Sequence, residues 1–221
     1  MNYPIDEGNG HAAAGAAIPQ GRPDTRAALL EAGFRVFARK GFDGASVRDI
    51  TSEAGANLGA ITYHFGSKRE LYSAVLESRL TPLVDRIGAA AEGPGSPMER
   101  LCTVIDAFFD HLAEHQELPR LMLQEVSAGK QPPPEVVAIV RRNAGYVSGV
   151  LRDGWASGEM RQLHPILTTV SIVAQPLFMN VMSPLLREVA GIDMQDPNTR
   201  KAAVEHVKAF VRAALQPREE A

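Results

Sequence analysis

A single cysteine, Cys102, leaves the chain no partner for an intrachain disulfide and no cysteine cluster for a metal. There is one tryptophan, Trp155, and aromatic residues make up only 6% of the sequence, so an apolar interior must be built mainly from aliphatic side chains. No stretch of about 18 consecutive apolar residues exists to span a bilayer. Residues 1–21 lack a basic start followed by an apolar run and do not read as a secretory signal. No segment after residue 97 alternates apolar and polar residues as a half-buried strand does. Catalytic signatures are missing as well: there is no Gly-rich phosphate loop, no G-x-S-x-G elbow and no Cys/His pairing around Cys102. These absences point away from secreted disulfide scaffolds, membrane spans and the common nucleotide-dependent enzymes. What they leave is a cytoplasmic all-α protein with no cofactor and no membrane partner.

Against that background the stretch Ser46 to Leu71 stands out. Ser46 followed three residues later by Asp49 is a capping-box pattern, so a helix starts at Val47, with Val47, Ile50 and Ala54 on one face. Gly55 stops it. Asn57 can cap a second helix whose buried stripe reads Leu58, Ile61 and Phe65, ended by Gly66. Two short helices across a glycine-containing turn are the sequence form of a helix-turn-helix, whose second helix enters the DNA major groove. The opposite face carries Gly59, Ala60, Thr62, Tyr63 and His64, small or hydrogen-bonding residues suited to base edges and phosphates. Ser67 and Glu70 then open a third helix with Lys68 in its first turn, where an ammonium and free helix N–H groups can share one phosphate. Ser46, Val47 and Arg48 lie at the start of the first of these helices and join the candidate DNA-binding set with Asn57, Gly59, Ala60, Thr62, Tyr63, His64 and Lys68.

The block Gly59-Ala-Ile-Thr-Tyr-His-Phe-Gly-Ser-Lys-Arg-Glu-Leu71 resembles the recognition-helix region of the TetR family of bacterial transcription regulators, and the resemblance extends back to about Thr25. It implies that Lys68 binds phosphate, that Tyr63 and His64 contact the backbone, and that Gly59, Ala60 and Thr62 face bases. It also implies a homodimer on a palindromic duplex operator and a ligand-responsive repressor. The region beyond is loosely similar to the CecR-like branch of that family.

Residues 22–82 hold nine Lys/Arg against seven Asp/Glu, while the whole chain has a net charge of −3, so one end is basic and the remainder acidic. That asymmetry suits a protein that touches nucleic acid at one end. Three segments follow: a disordered arm at 1–21, a helix-turn-helix DNA-binding domain at 22–82, and a larger helical effector-binding and dimerisation domain at 83–221. In the second, Asp24 or Thr25 caps a helix striped by Leu30, Phe34 and Phe37, and Gly41 to Gly44 turn the chain with Phe42 tucked beneath. Pro82 must kink or divide the third helix of the motif. Beyond the linker at Glu92 to Pro97, helical periodicity predicts segments over Met98–Leu112, Leu121–Val126, Glu135–Ser157, Pro165–Val181, Pro184–Ala190 and Pro197–Leu215. The Pro165–Val181 helix is apolar over much of its circumference and needs a second partner, for which a twin subunit is the economical choice.

Phe108, Met122, Val147, Leu151, Trp155 and Phe178 are candidates to line a pocket for a small apolar or aromatic effector between the Met98, Glu135 and Pro165 helices. The rival reading is an enzyme. His111-Leu-Ala-Glu-His115 fits the H-x-x-E-H form of inverted zinc peptidases, with Glu114 as base, and would make the chain a metal-dependent hydrolase. The plainer reading is a solvated helix end with no metal, because no third ligand from another helix can be named.

Overall fold

The computed structural model describes residues 24–127 and 131–217; the arm at 1–21 lies outside them. Among the described residues the chain is helical, with no strand: α1 (Thr25–Gly44), α2 (Val47–Glu53), α3 (Ala60–Phe65), α4 (Lys68–Glu92), α5 (Pro97–Glu114), α6 (Leu118–Ser127), α7 (Pro134–Ala156), α8 (Pro165–Ala190) and α9 (Pro197–Leu215).

Side-chain caps start most of these helices as the sequence directs. The Asp24 carboxylate accepts from the Arg26 N–H at 3.0 Å. Ser46 and Asp49 cap α2 reciprocally, each accepting a backbone N–H of the other at 3.0 Å. Ser96 with Glu99 does the same for α5. Gly41, with φ of 69°, breaks the end of α1 and turns Phe42 back into the head, where its ring lies 5.1 Å from Tyr72 and 6.2 Å from Phe37.

Two apolar clusters result. The first joins Leu29, Phe34, Phe37, Ile50, Ile61, Leu71, Val75 and Leu76 of α1–α4, and is completed by Leu112, Leu118, Leu121 and Val136 from α5, α6 and α7. The second holds Leu83 and Ile87 of α4 together with Leu101, Phe108, Phe109, Val147, Leu151, Ile172, Val207 and Val211. The two divide along α4 between Leu80 and Leu83.

Three expectations change. α4 runs as one helix through Pro82, and α8 as one helix through both Pro176 and Pro184 rather than as two segments. A proline inside a helix costs on the order of 3 kcal/mol. Burial of Leu80, Leu83, Val84 and Ile87 around Pro82 offsets that in α4. In α8, Pro176 is itself buried, beside Ile172. Finally, α8 is long and apolar enough, by length and composition, to cross a membrane, although the sequence has no unbroken apolar run of that length. Its inner side carries Thr169, Ile172, Pro176 and Ser183, and it packs against α5, α6 and α7. Its outer side shows Leu167, Val170, Phe178, Leu185 and Val189, spaced so that all fall on a single stripe.

Candidate nucleic-acid interface

The helix-turn-helix is present, but α3 begins later than the capping argument placed it. Gly59 occupies the N-cap position and makes no side-chain cap bond, so Asn57 contributes only its carbonyl, accepting from the Ala60 N–H at 3.1 Å. Leu58 therefore lies in the turn before the helix, where helical periodicity does not apply, and it is 54% exposed instead of buried. Ala60 moves the other way. It packs into the head core beside Ile61 at 6% exposure, so its methyl cannot face a base as expected. The outward surface is made instead by Asn57, Leu58, Gly59, Thr62 and Tyr63, all exposed, with Tyr63 at 85%. The Tyr63 ring stands edge-on to the half-buried His64 at 4.9 Å. Gly66 follows with φ of 86°, a left-handed conformation that side-chain-bearing residues rarely adopt, so the turn into α4 favours glycine.

Three of the expected contacts are committed elsewhere. The Ser46 hydroxyl accepts from the Asp49 N–H and donates to the Asp49 carboxylate, and Val47 is half buried against the head core. Lys68 is turned inward: its ammonium donates to the carbonyls of Phe42 and Ala45, both at 2.8 Å, and lies 4.4 Å from the Phe42 ring centroid. It closes the α1–α2 corner, which leaves one N–H for anything else.

Electrostatics sort the remaining cations. Glu53 receives Arg35 and Arg39, Asp49 receives Lys40 at 2.9 Å, and Glu31 receives Arg79. The Lys40 ammonium, then the Ser46 hydroxyl, hold the Asp49 carboxyl well below the usual range, and Arg39 followed by Arg35 lower that of Glu53 against the opposing effect of burial. These acids stay charged and neutralise their partners. Arg48 and Arg69 have no carboxylate partner among the described residues, nor does Arg26, whose guanidinium sits 5.1 Å from the Phe65 ring on α3. Arg26 and Arg69 escaped the sequence reading because spacing along one chain does not sort paired cations from unpaired ones.

The six expected effector residues do not converge. Phe108, Val147 and Leu151 are buried core and Trp155 packs half-buried beside them, but Met122 packs on the head cluster and Phe178 lies on the outer stripe of α8. Between α5, α7 and α8 the side chains of Phe108, Val147, Leu151 and Ile172 belong to one apolar cluster. An open cleft of about 680 Å³ lies instead where the end of α5, α6, α8 and the α8–α9 connection meet, lined in part by Arg120, Leu123, Val181, Pro184, Arg187 and Arg200. His111, expected at a solvated helix end, is wholly buried, with Nε2 2.8 Å from the Arg79 carbonyl oxygen. Burial, then the neighbouring His115, push its imidazole down to about 4.

Comparison with known proteins accounts for both halves. Residues 29–75 match the family described as bacterial regulatory proteins, tetR family, and residues 97–211 match the tetracyclin repressor-like C-terminal domain. The chain is 30% identical over 186 residues to the HTH-type transcriptional repressor SCO4008 of Streptomyces coelicolor, a match covering 81% of this chain and 93% of that protein. It is 32% identical over 103 residues to the HTH-type transcriptional activator FasR of Mycolicibacterium smegmatis, spanning about half the length of that relative, 47%. Among solved structures, the TetR family regulator PfmR of Thermus thermophilus superposes with a TM-score of 0.68 at 23% identity, covering 87% of this chain and 99% of that one. FadR of Bacillus subtilis, solved in complex with stearoyl-CoA, does so with a TM-score of 0.68 at 18% identity, covering 86% and 99%.

The inward lysine yields a stability test. Lys68→Ala removes two hydrogen bonds from an ammonium and leaves the Phe42 and Ala45 carbonyls short of a donor, so it should destabilise the head by about 1–3 kcal/mol. Thermal melts followed by circular dichroism check this; an unchanged melting temperature would show that the ammonium is not a structural tie.

Proposed function

The chain belongs to the TetR family of bacterial regulatory proteins and is a DNA-binding transcriptional regulator rather than an enzyme; from that premise we propose that it is a ligand-responsive repressor, binding a near-palindromic duplex as a homodimer. The observation that carries the DNA reading is the division of α3, in which Ala60 and Ile61 anchor inward while Thr62 and Tyr63 project outward. Arg48, Arg69 and Arg26, left without acids among the described residues, supply the attraction for phosphates. Thr62, with Gly59 allowing close approach, faces bases; Tyr63 and His64 reach the backbone; Lys68 adds its remaining N–H.

The outer stripe of α8 supports the homodimer. Leu167, Val170, Phe178, Leu185 and Val189 would cost a lone soluble chain a long apolar face, and Leu167 shares a shallow groove with Phe210 of α9. A second copy placed on a two-fold axis buries the same stripe twice.

The effector reading moves to the open cleft. Its volume suits a small ligand. Arg120, Arg187 and Arg200 outnumber Glu117 and Asp193 on its walls, so an apolar body with an anionic head fits better than a neutral aromatic. α6 links that cleft to DNA binding, because it packs between α1 and α8 and Gln124 donates to the Ala38 carbonyl of α1 at 3.3 Å.

Three outcomes follow. On duplexes enriched by selection from a random pool, Arg48→Ala should weaken binding to all sequences alike and lower the salt slope by about one unit, whereas Thr62→Ala should change the preferred bases; a sequence-selective effect of Arg48→Ala contradicts the assignment. Light scattering should report a dimer for the wild type and a monomer for Phe178→Glu, and a wild-type monomer at micromolar concentration overturns the interface. Titration with a long-chain acyl-CoA should change Trp155 fluorescence in step with loss of DNA, and Arg187→Ala should shift that curve to higher ligand. Saturable binding with DNA affinity held within about twofold, well under the roughly 1.4 kcal/mol of a tenfold change, would show that cleft and head are uncoupled.

A further inference from the structure

The end of α5 carries a side-chain set that the regulatory reading does not use. His111, Glu114 and His115 each offer a ligating atom, and these atoms lie within 4.8 Å of one another. His111 is wholly buried, and its Nε2 lies 2.8 Å from the Arg79 carbonyl oxygen. A carbonyl only accepts, so Nε2 carries the proton and Nδ1 of the neutral ring carries a lone pair. That Nδ1 is itself buried and has no hydrogen-bond partner among the described residues. One ring nitrogen held on a backbone carbonyl, with the other presenting an unused lone pair, is how proteins orient a metal-ligating histidine.

The neighbouring groups fit the same use. The His115 ring stands edge-on to that of His111 with centroids 4.6 Å apart. His115 is the C-cap of α5: its N–H still donates to the His111 carbonyl at 3.1 Å, which keeps the two rings on one face, while its φ of −125° and ψ of 63° end the helix just beyond. Ligands of a tetrahedral zinc ion stand about 3.4 Å apart, an adjustment that a helix end can make. Glu114 accepts from Arg86 through both oxygens, at 2.9 and 2.6 Å, and each oxygen keeps a further lone pair. Arg79 and Arg86 oppose a cation here; Glu114 and Glu31, their ion-pair partners, offset them.

We propose that His111, Glu114 and His115 form a binding site for a divalent zinc-class cation at the seam between α5 and α4, with water completing the coordination. Two imidazoles and a carboxylate are a donor set for zinc in preference to magnesium or calcium. The site is a ligation centre under the head, because the carbonyl that orients His111 belongs to Arg79, whose guanidinium pairs with Glu31 of α1 and covers the Phe34 ring at 4.5 Å. It stands or falls independently of the effector and operator assignments.

The test uses the full chain, stripped with a chelator and titrated with Zn²⁺ against a chromogenic indicator. The wild type should take up a single ion per chain. His115→Ala, at a half-exposed position, should weaken binding by about tenfold or more, and Glu114→Gln should weaken it measurably. A variant with His64, His164 and His206 all replaced by alanine should bind as the wild type does. Co²⁺ should give the visible absorption of a tetrahedral nitrogen–oxygen site in the wild type and lose it in Glu114→Gln, which decides the matter should His115→Ala misfold. No saturable Zn²⁺ uptake by the wild type, or uptake by folded His115→Ala equal to it, overturns the proposal.

Discussion

Everything in this fold hangs on α4 being shared by two cores. Its first half, from Leu71 through Leu80, completes the head cluster, and its second half, from Leu83 through Ala91, enters the body cluster. Because the helix is continuous through Pro82, no flexible connection separates reading head from body. Head orientation therefore follows from how α4 lies against α5 and α7, its two principal partners in the body. The head core is also not self-contained. Leu112, Leu118, Leu121 and Val136 close it from the body side, so removing the body would expose buried apolar surface as well as cutting a helix.

The DNA-facing surface depends on that support more than on local propensity. α3 has six residues, too short to persist in water by itself, and it lacks a side-chain cap. Ile61 and Ala60 hold it from below, Gly66 permits the turn into α4, and Lys68 ties the start of α4 to the α1–α2 corner. Charge is arranged to the same end. Glu53, Asp49 and Glu31 neutralise the cations that brace the head internally, while Arg48 and Arg69 have no such acid among the described residues. A modest excess of positive charge is thereby concentrated beside α3.

Much of this was legible in the sequence, and the failures share a physical cause. The caps at Ser46 and Ser67 and the periodic stripe of α1 were readable because both patterns are local. Leu58 and Ala60 were assigned to the wrong sides because periodicity was extended across a helix start that only the three-dimensional turn defines. Lys68 was placed outward from its position in the first turn of α4, but two carbonyls more than twenty residues earlier decide where the ammonium goes. Pro184 was taken as a break and Pro82 as a kink or break because proline's local cost is plain in sequence, whereas the tertiary burial that offsets it is not. The scattered fate of Phe108, Met122 and Phe178 has the same origin: an apolar residue type does not say whether it meets the body core, the head core or the outer surface.

The geometry of α4 also sets how small a disturbance could matter. At 25 residues it is about 37 Å long, so a tilt of about 5° at its body end would carry the head end roughly 3 Å. Two heads on a dimer must hold their recognition helices about 34–36 Å apart to occupy successive turns of the major groove, and opposite tilts add. The elements able to impose such a tilt touch α4 or α1 directly: α5 through the Arg86–Glu114 pair and the His111 contact, and α6 through its bonds to the end of α1. Both border the open cleft or the histidine pair, and α8, which carries the outer apolar stripe, forms the cleft's far wall. Inverting a population from 1:99 to 99:1 asks for roughly 5.5 kcal/mol of differential binding. A ligand held against several side chains in a cleft of this size can supply that much, provided its contacts differ between the two tilts. The greatest leverage on the heads therefore lies where α5, α6 and α8 meet.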